Sequence, residues 1–351
     1  MPTLAAPALA DFVARLFLAV GVNAEESGIV AESLVGANLR GHDSHGVMRA
    51  LQYLDFVRNG DYTPGAELII EQDSPGAVVA DGQWGFGQVQ AHRLLGMLIP
   101  RARELGIAAG AGRRFGHCGR LGEYAERAAA EGLILIATVN NDGAGQRVAP
   151  PGGTTGRLGT NPLCAGVPTG ADPVVLDFGT SVVAEGKVRT HYLSNRPVPV
   201  GWLVDSQGEP TNDPSVLYVP PLGGIRPMGG EQSYKGFGLA LVLDLLSGGL
   251  SGGHCSHPGA GAAKGNCLFF AVIDPGRFAG LGSVAGQASR LGDYIRETPR
   301  AAGVAAILLP GDPERIVLAE RSAHGIPIDP AHWDRLAKAA ADLGVEPPAV
   351  T

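Results

Sequence analysis

The segment Arg40-Gly-His-Asp-Ser-His-Gly-Val-Met-Arg49 carries residue types suited to acid–base chemistry on an anion. A helix predicted from about Ser44, with Asp43 or Ser44 as its cap, puts His45 and Arg49 on one face. A cation in a first turn works against the helix dipole, so Arg49 is better explained facing an anion. A histidine that shuttles a proton beside an arginine that grips a carboxylate is what a 2-oxo or 2-hydroxy acid site needs. The plainer reading is a capping serine, a surface histidine and a solvated arginine, and this segment alone leaves it open. Ser44 as a nucleophile with His45 as its base is disfavoured. Neighbouring helical side chains point roughly 100° apart, and no G-x-S-x-G elbow occurs.

A second segment, Gly110-Ala-Gly-Arg-Arg-Phe-Gly-His-Cys-Gly-Arg-Leu-Gly122, follows an apolar run and opens a helix. Its spacing is one residue too long for the Rossmann fingerprint. Arg113, Arg114 and His117 also crowd the turn where bare backbone would meet a pyrophosphate. His117 is a second proton-handling residue or a hydrogen-bonded turn residue. Further on, Gly159-Thr160-Asn161-Pro162 precedes a strand at 174–178 that runs into Gly179, Thr180 and Ser181. Small hydroxyls there can present donors to a phosphate or ribose, or mark an ordinary strand exit. Lys235 heads an apolar helix at 235–247, where a cofactor phosphate would suit it; snorkelling to solvent is the alternative. His254, Cys255 and His257 lack a fourth zinc ligand at a sensible spacing, so no metal is assigned.

These residues need elements to position them. Helices are predicted over most of 1–60, with an Asn23/Glu26 capping box opening one that runs to about Leu39. Strand-like runs follow at 67–71, 77–80, 107–110, 133–139, 174–178 and 268–273. Helices are expected at 88–105, 119–131, 235–247, 312–322 and 330–343. Strands alternating with helices argue an α/β fold. The helix at 235–247 is almost wholly apolar and expected to be buried.

The chain has 351 residues, a net charge of −7 and 45% hydrophobic residues. It is long and apolar enough for two domains and a large core. A basic stripe for nucleic acid is absent. No run reaches the roughly 18 apolar residues of a membrane span. Four cysteines without a CxxC pair suggest a reducing, cytoplasmic setting. Glycine is unusually frequent at 53 residues, and 251–265 reads as a loop. Only four lysines stand against 23 arginines, so Lys187 and Lys235 draw attention.

The ordered set Arg40-Gly-His-Asp-Ser-His-Gly with Arg49, Phe86-Gly-Gln, His117-Cys-Gly-Arg-Leu-Gly, Gly159-Thr-Asn-Pro, Leu176-Asp-Phe-Gly-Thr-Ser, Tyr234-Lys-Gly and Leu309-Pro-Gly resembles the malate/L-lactate dehydrogenase family of NAD(P)-dependent oxidoreductases. This family is distinct from the Rossmann-fold lactate and malate dehydrogenases. The resemblance spans roughly residues 5–345 and is nearest to the hydroxycarboxylate dehydrogenase branch. It implies a non-Rossmann mixed α/β (α+β) sheet with helices, residues 75–311, and a helical part built from 1–74 and 312–351. His45 would be the acid/base, with Ser44 and Arg49 holding substrate. His117 would be a second catalytic histidine, the proton acceptor in some relatives. Thr160 and Asn161 would touch substrate. Asp177, Phe178, Gly179, Thr180, Ser181, Val182, Val183, Lys187, Tyr234, Lys235, Gly311, Asp312 and Pro313 would line NAD or NADP. A homodimer is implied, with the site near the subunit interface. The expected reaction moves a hydride between nicotinamide and a small 2-oxo/2-hydroxy carboxylate; reduction of a cyclic imine carboxylate is the alternative. Leu268 stands where relatives often carry histidine, and Arg114-Phe-Gly where they often carry Asn-Ser-x.

Overall fold

The computed structural model describes residues 1–350. A short strand β1 (Thr3–Leu4) precedes α1 (Ala6–Ala19) and α2 (Ala24–Leu39). Leu9, Phe12, Val13, Leu16 and Phe17 recur at helical spacing on α1, and all are buried. Asn23 caps α2 by accepting the Glu26 N–H at 2.9 Å. The return half of the capping box is missing. Glu26 instead accepts the Gly65 N–H at 2.7 Å, tying α2 to the loop that leads into the sheet.

Residues 43–49, expected to start one helix, form two 3-10 turns, Asp43–His45 and Val47–Arg49, ahead of α3 (Ala50–Arg58). Gly46 joins the turns in an extended conformation. A β carbon there would fall 2.2 Å from the Asn38 side-chain oxygen. That approach lets Asn38 of α2 accept the Val47 N–H at 2.8 Å and donate to Asp43 at 2.6 Å. The chain therefore bends around Asn38. Neither Asp43 nor Ser44 acts as a side-chain cap, because Asp43 is held by Asn38 and Arg321.

The main sheet begins with the hairpin β2 (Ile69–Ser74) and β3 (Ala77–Asp81), so the boundary drawn at residue 74 falls inside it. Next come α4 (Gly87–Leu105), β4 (Ile107–Gly116), α5 (Gly122–Ala130), β5 (Ile134–Asn140), β6 (Leu163–Val167) and β7 (Val174–Phe178). Then follow α6 (Glu185–Leu193), the two-residue strands β8 (Leu203–Val204), β9 (Pro210–Thr211) and β10 (Gly224–Ile225), α7 (Tyr234–Asp244) and β11 (Gly265–Ile273). The chain closes with α8 (Leu281–Arg296), α9 (Asp312–His324), β12 (Ile326–Pro327) and α10 (Pro330–Asp342).

The seven-stranded order is β2-β3-β4-β11-β5-β6-β7. Only β3 and β4 run parallel, joined through α4; every other neighbour is antiparallel. This is a mixed α/β sheet and not a doubly wound parallel one. β11 lies between β4 and β5, and its Leu268, Phe270 and Val272 are fully buried. Leu268 is thus a core residue of the central strand. A separate core joins both ends of the chain, packing Phe12, Leu34 and Tyr53 with Ile326, Trp333 and Leu336.

α7 departs from expectation. Gly236, Ala240 and Leu243 are buried, but Tyr234, Leu241 and Val242 are exposed, as is Leu245 just past its end. Its apolar composition serves two faces, only one of which this chain covers.

Candidate active site

His45 ends the first 3-10 turn, and His117 follows β4 directly. The fold brings their rings face to face, with centroids 5.5 Å apart and planes 20° from parallel. Ser44 Oγ lies 3.0 Å from His45 Nδ1. This contact was disfavoured on helical geometry. The segment is a single 3-10 turn, and a short hydroxyl reaches the near nitrogen of its neighbour by side-chain rotation alone. Arg49 immediately precedes α3. Its Nε donates to the Ser44 carbonyl at 2.8 Å and its Nη1 to Gln52 Oε1 at 2.9 Å. Nη2 has no partner among the described residues.

Three glycines set the His117 backbone. A β carbon on Gly87 would lie 2.0 Å from the Gly116 carbonyl oxygen, and one on Gly265 would lie 1.9 Å from that of Phe115. One on Gly116 would lie 2.8 Å from the Gly85 oxygen. The head of α4, the end of β4 and the start of β11 therefore meet backbone to backbone. Tyr62 completes the junction, accepting the His117 N–H at 2.7 Å and donating to the Lys264 carbonyl at 2.8 Å. Tyr53 Oη reaches His117 Nδ1 at 2.6 Å, and Gln88 Nε2 reaches Tyr53 Oη at 3.1 Å. Tyr53 and Gln88 were not singled out from sequence. Tyr53 falls four residues after Arg49, one turn along α3, which was the available signal.

Burial, then the Arg49 charge, lowers the His45 pKa to about 3. The same causes hold His117 well below the ordinary histidine value. Both rings are neutral near neutral pH. On unfolding each regains a pKa near 6.5, so below about pH 6.5 the unfolded chain binds protons that the folded chain refuses. Stability then falls with pH, by at most about 1.4 kcal/mol per pH unit per histidine. For His45 the loss ends near pH 3, where the folded ring also takes its proton. Urea midpoints between about pH 6.5 and about pH 4.5 should fall less steeply in His117→Gln than in the parent. Equal slopes would contradict a His117 that stays neutral when folded.

The expected cofactor residues divide. Thr180 Oγ1 donates to the Thr160 and Asn161 carbonyls, and Ser181 Oγ to that of Val183. These hydroxyls are spent on backbone, so any donors this stretch offers a cofactor are main-chain ones. Asp177 accepts the Gly122 N–H at the head of α5, and burial raises its pKa. Asn161 is buried, donating to the Ala240 carbonyl at 3.0 Å and leaving its Oδ1 unpartnered. No hydrogen bond joins Thr160 or Asn161 to the histidine pair. The lysines sort sharply. Lys264 pairs with Asp61 and Lys338 with Asp342. Lys187 on α6 and Lys235 on α7 are exposed with no partner among the described residues. A β carbon on Gly186 would lie 3.6 Å from Ser44 Cβ, so the head of α6 abuts the histidine turn. Gly311 borders a cleft of about 380 Å³ with Arg40, Val175, Glu314 and Arg315, and Asp312 pairs with Arg296 and Arg315. Free cations beside main-chain donors suit a dinucleotide carrying phosphates.

Arg113 and Arg114 do not face a ligand loop. Both extend the end of β4 and bind the buried Asp81 carboxylate. His254 Nδ1 lies 3.0 Å from Asp142 Oδ1. Among the described residues no group of three or more His, Cys, Asp and Glu side chains is arranged to hold a metal.

A family model described as malate/L-lactate dehydrogenase matches residues 4–337. Hydroxycarboxylate dehydrogenase B of Escherichia coli O157:H7 is 35% identical over 345 residues, covering 97% of this chain and 94% of that protein. The malate dehydrogenase of Pyrococcus abyssi is 34% identical over 345 residues, covering 96% of this chain and 94% of that one. A solved Escherichia coli structure described as a malate/lactate dehydrogenase matches with a TM-score of 0.90 at 34% identity, covering 98% of this chain and 96% of that one.

Proposed function

The chain belongs to the malate/L-lactate dehydrogenase family, and from that premise we propose how its site divides the work of a 2-hydroxy acid oxidoreductase. The enzyme moves a hydride between a nicotinamide cofactor and C2 of a small 2-oxo or 2-hydroxy carboxylic acid. Arg49 holds the substrate carboxylate through its uncommitted Nη2, and His45 exchanges a proton with the substrate oxygen. The observation that carries this is the His45–His117 pair beside Arg49, assembled from two distant stretches of the chain, the 3-10 turns at 43–49 and the end of β4. When bound, NAD or NADP supplies or accepts the hydride. Lys187, Lys235, the backbone of 177–183 and the 311–313 corner are the groups proposed to hold it.

A panel of 2-oxo acids and cyclic imine carboxylates, assayed with both NADH and NADPH, tests the reading. Turnover should be fastest on a 2-oxo acid, and the better cofactor identifies the ribose preference. Turnover on cyclic imines alone would transfer the site to C=N reduction. Cofactor binding without any turnover would leave a nucleotide-binding scaffold.

We also propose a homodimer in a reducing, cytoplasmic setting. Four unpaired thiols support the compartment. The exposed stripe Tyr234, Leu241 and Val242 on α7 supports the dimer, continued past its end by Leu245 and Leu250. Charge in the stripe, as in Leu245→Asp, should shift the sedimenting species toward monomer. A parent protein that sediments only as a 36.0 kDa monomer would refute the dimer.

A further inference from the structure

We propose that Tyr53, Gln88 and the Gly119 amide hold His117 as a neutral imidazole with its proton on Nε2. His117 then gives a hydrogen bond to the substrate oxygen, while His45 alone carries the transferred proton. This rests on the reading of the site as one for 2-oxo and 2-hydroxy acids.

The assignment follows from which partners can reverse their polarity. The Gly119 N–H points at His117 Nδ1 at 3.3 Å, and a backbone amide can only donate. That donor favours Nδ1 as an acceptor. Tyr53, 2.6 Å from the same nitrogen, then donates to it. The Tyr53 oxygen is then free to accept from the Gln88 amide at 3.1 Å. Turning the Gln88 amide over would make its oxygen take the Tyr53 proton. An Nδ1–H would then be needed to serve Tyr53, and that proton would face the Gly119 N–H. The backbone donor opposes this arrangement, and with Tyr53 donating at shorter range the ring settles with Nδ1 as the acceptor. With Nδ1 committed, the ring proton sits on Nε2.

A second proton meets opposition from every side. It would set Nδ1–H against two donors. The groups opposing it electrostatically are Arg49 from the head of α3 and, whenever it is protonated, His45 from the 3-10 turn. Tyr62, from the loop after α3, spends its hydroxyl on the His117 backbone N–H and the Lys264 carbonyl. Glu123 of α5 acts on Tyr53. Tyr53 and Tyr62 are themselves neutral, their phenol pKa values raised by burial.

His45 has a different kind of partner. Its Nδ1 meets only the Ser44 hydroxyl, which can donate or accept. Either protonation state of His45 is satisfied without moving a neighbour. In the oxidation direction neutral His45 takes the substrate hydroxyl proton; in the reduction direction it first takes a proton from solvent, which the bound substrate carboxylate favours, and then gives it to the substrate oxygen. The His117 Nε2–H bond stays intact. Tyr53 and Gln88 are positioning residues in this scheme, acting through His117.

Nitrogen-15 NMR of histidine-labelled protein without substrate reads the tautomer directly, with His117→Asn identifying the signal. His117 should appear as the Nε2–H tautomer and should not titrate between about pH 5 and about pH 8. Tyr53→Phe removes the stronger donor. It should let Nδ1–H or imidazolium appear and lower kcat about tenfold or more with cofactor KM little changed. Gln88→Glu, whose buried carboxylate would take the Tyr53 proton, should drive the ring toward Nδ1–H; if it does not fold, Tyr53→Phe and the parent spectrum decide. An Nδ1–H tautomer in the parent, or a His117 that titrates in that window, overturns the proposal. So does a Tyr53→Phe protein with unchanged tautomer and kcat. The spectrum needs no turnover, so failure on every 2-oxo acid would defeat the proposed reaction while leaving this assignment measurable.

Discussion

His45→Ala is expected to lower turnover by at least about a hundredfold, with cofactor affinity little changed. The ring is the one group beside the site whose hydrogen-bond partner accepts both of its protonation states. Without it, the substrate oxygen has Arg49 and a locked His117 as neighbours, and neither exchanges a proton near neutral pH. A positioned acid or base typically contributes about 10²–10⁴-fold, and that contribution is made in the transition state. The loss should therefore fall on kcat and on kcat/KM alike. Steady-state kinetics on the best 2-oxo acid, with a separate cofactor titration, measures both. Near-normal turnover would remove His45 from the chemistry.

Arg49→Ala should reduce kcat/KM for carboxylate substrates by about a hundredfold, since hydrogen bonds to charged groups are worth about 1.5–3 kcal/mol each. Two of its nitrogens brace the Ser44 carbonyl and Gln52, and Nη2 is left for the carboxylate. Arg49→Lys should restore little of this, because one ammonium cannot brace the Ser44 carbonyl and Gln52 and meet the carboxylate at once. A second effect separates the clamp from a general loss of structure. Burial lowers the His45 pKa most, and the Arg49 charge is the next cause. Deleting that charge raises the His45 pKa back toward 6.5. Hydroxy acid oxidation needs neutral His45, so the acid limb of its pH profile should move to higher pH. An unchanged kcat/KM, or an acid limb that moves to lower pH, would count against this role.

Much of the fold could be read from periodicity. The α1 stripe, the strands at 77–80 and 174–178 and the helix at 88–105 all formed close to their expected bounds. Elements with diluted patterns were missed. β6, Leu-Cys-Ala-Gly-Val, has few branched residues to mark it. α8 carries Leu281, Val284, Leu291 and Ile295 among glycines and serines, and little of it is buried. The apolar character of α7 suggested burial, but its composition does not separate the buried Gly236, Ala240 and Leu243 from the exposed Tyr234, Leu241 and Val242. His45, Arg49 and His117, which the fold brings together, stood out in the sequence because their residue types suit the proposed chemistry. Tyr53, Gln88 and the Gly119 amide did not, because their value lies in a direction of donation that only geometry fixes. Thr180 and Ser181 had suitable hydroxyls, but nearby carbonyls claimed them first.

The junction of Gly87, Gly116 and Gly265 constrains how this chain can change. Each sits in a different stretch of sequence: Gly87 and Gly265 face the backbone of residues 115–117, and Gly116 faces the backbone of Gly85 and Gly87 in return. Any first alanine there must push those groups aside. A second would enter space already opened, so the costs should fall short of additive. Single steps away from glycine then look forbidding, while paired steps are cheaper than their sum. A lineage that lost one of these glycines would be expected to lose another soon after, or to rebuild the backbone around the histidine.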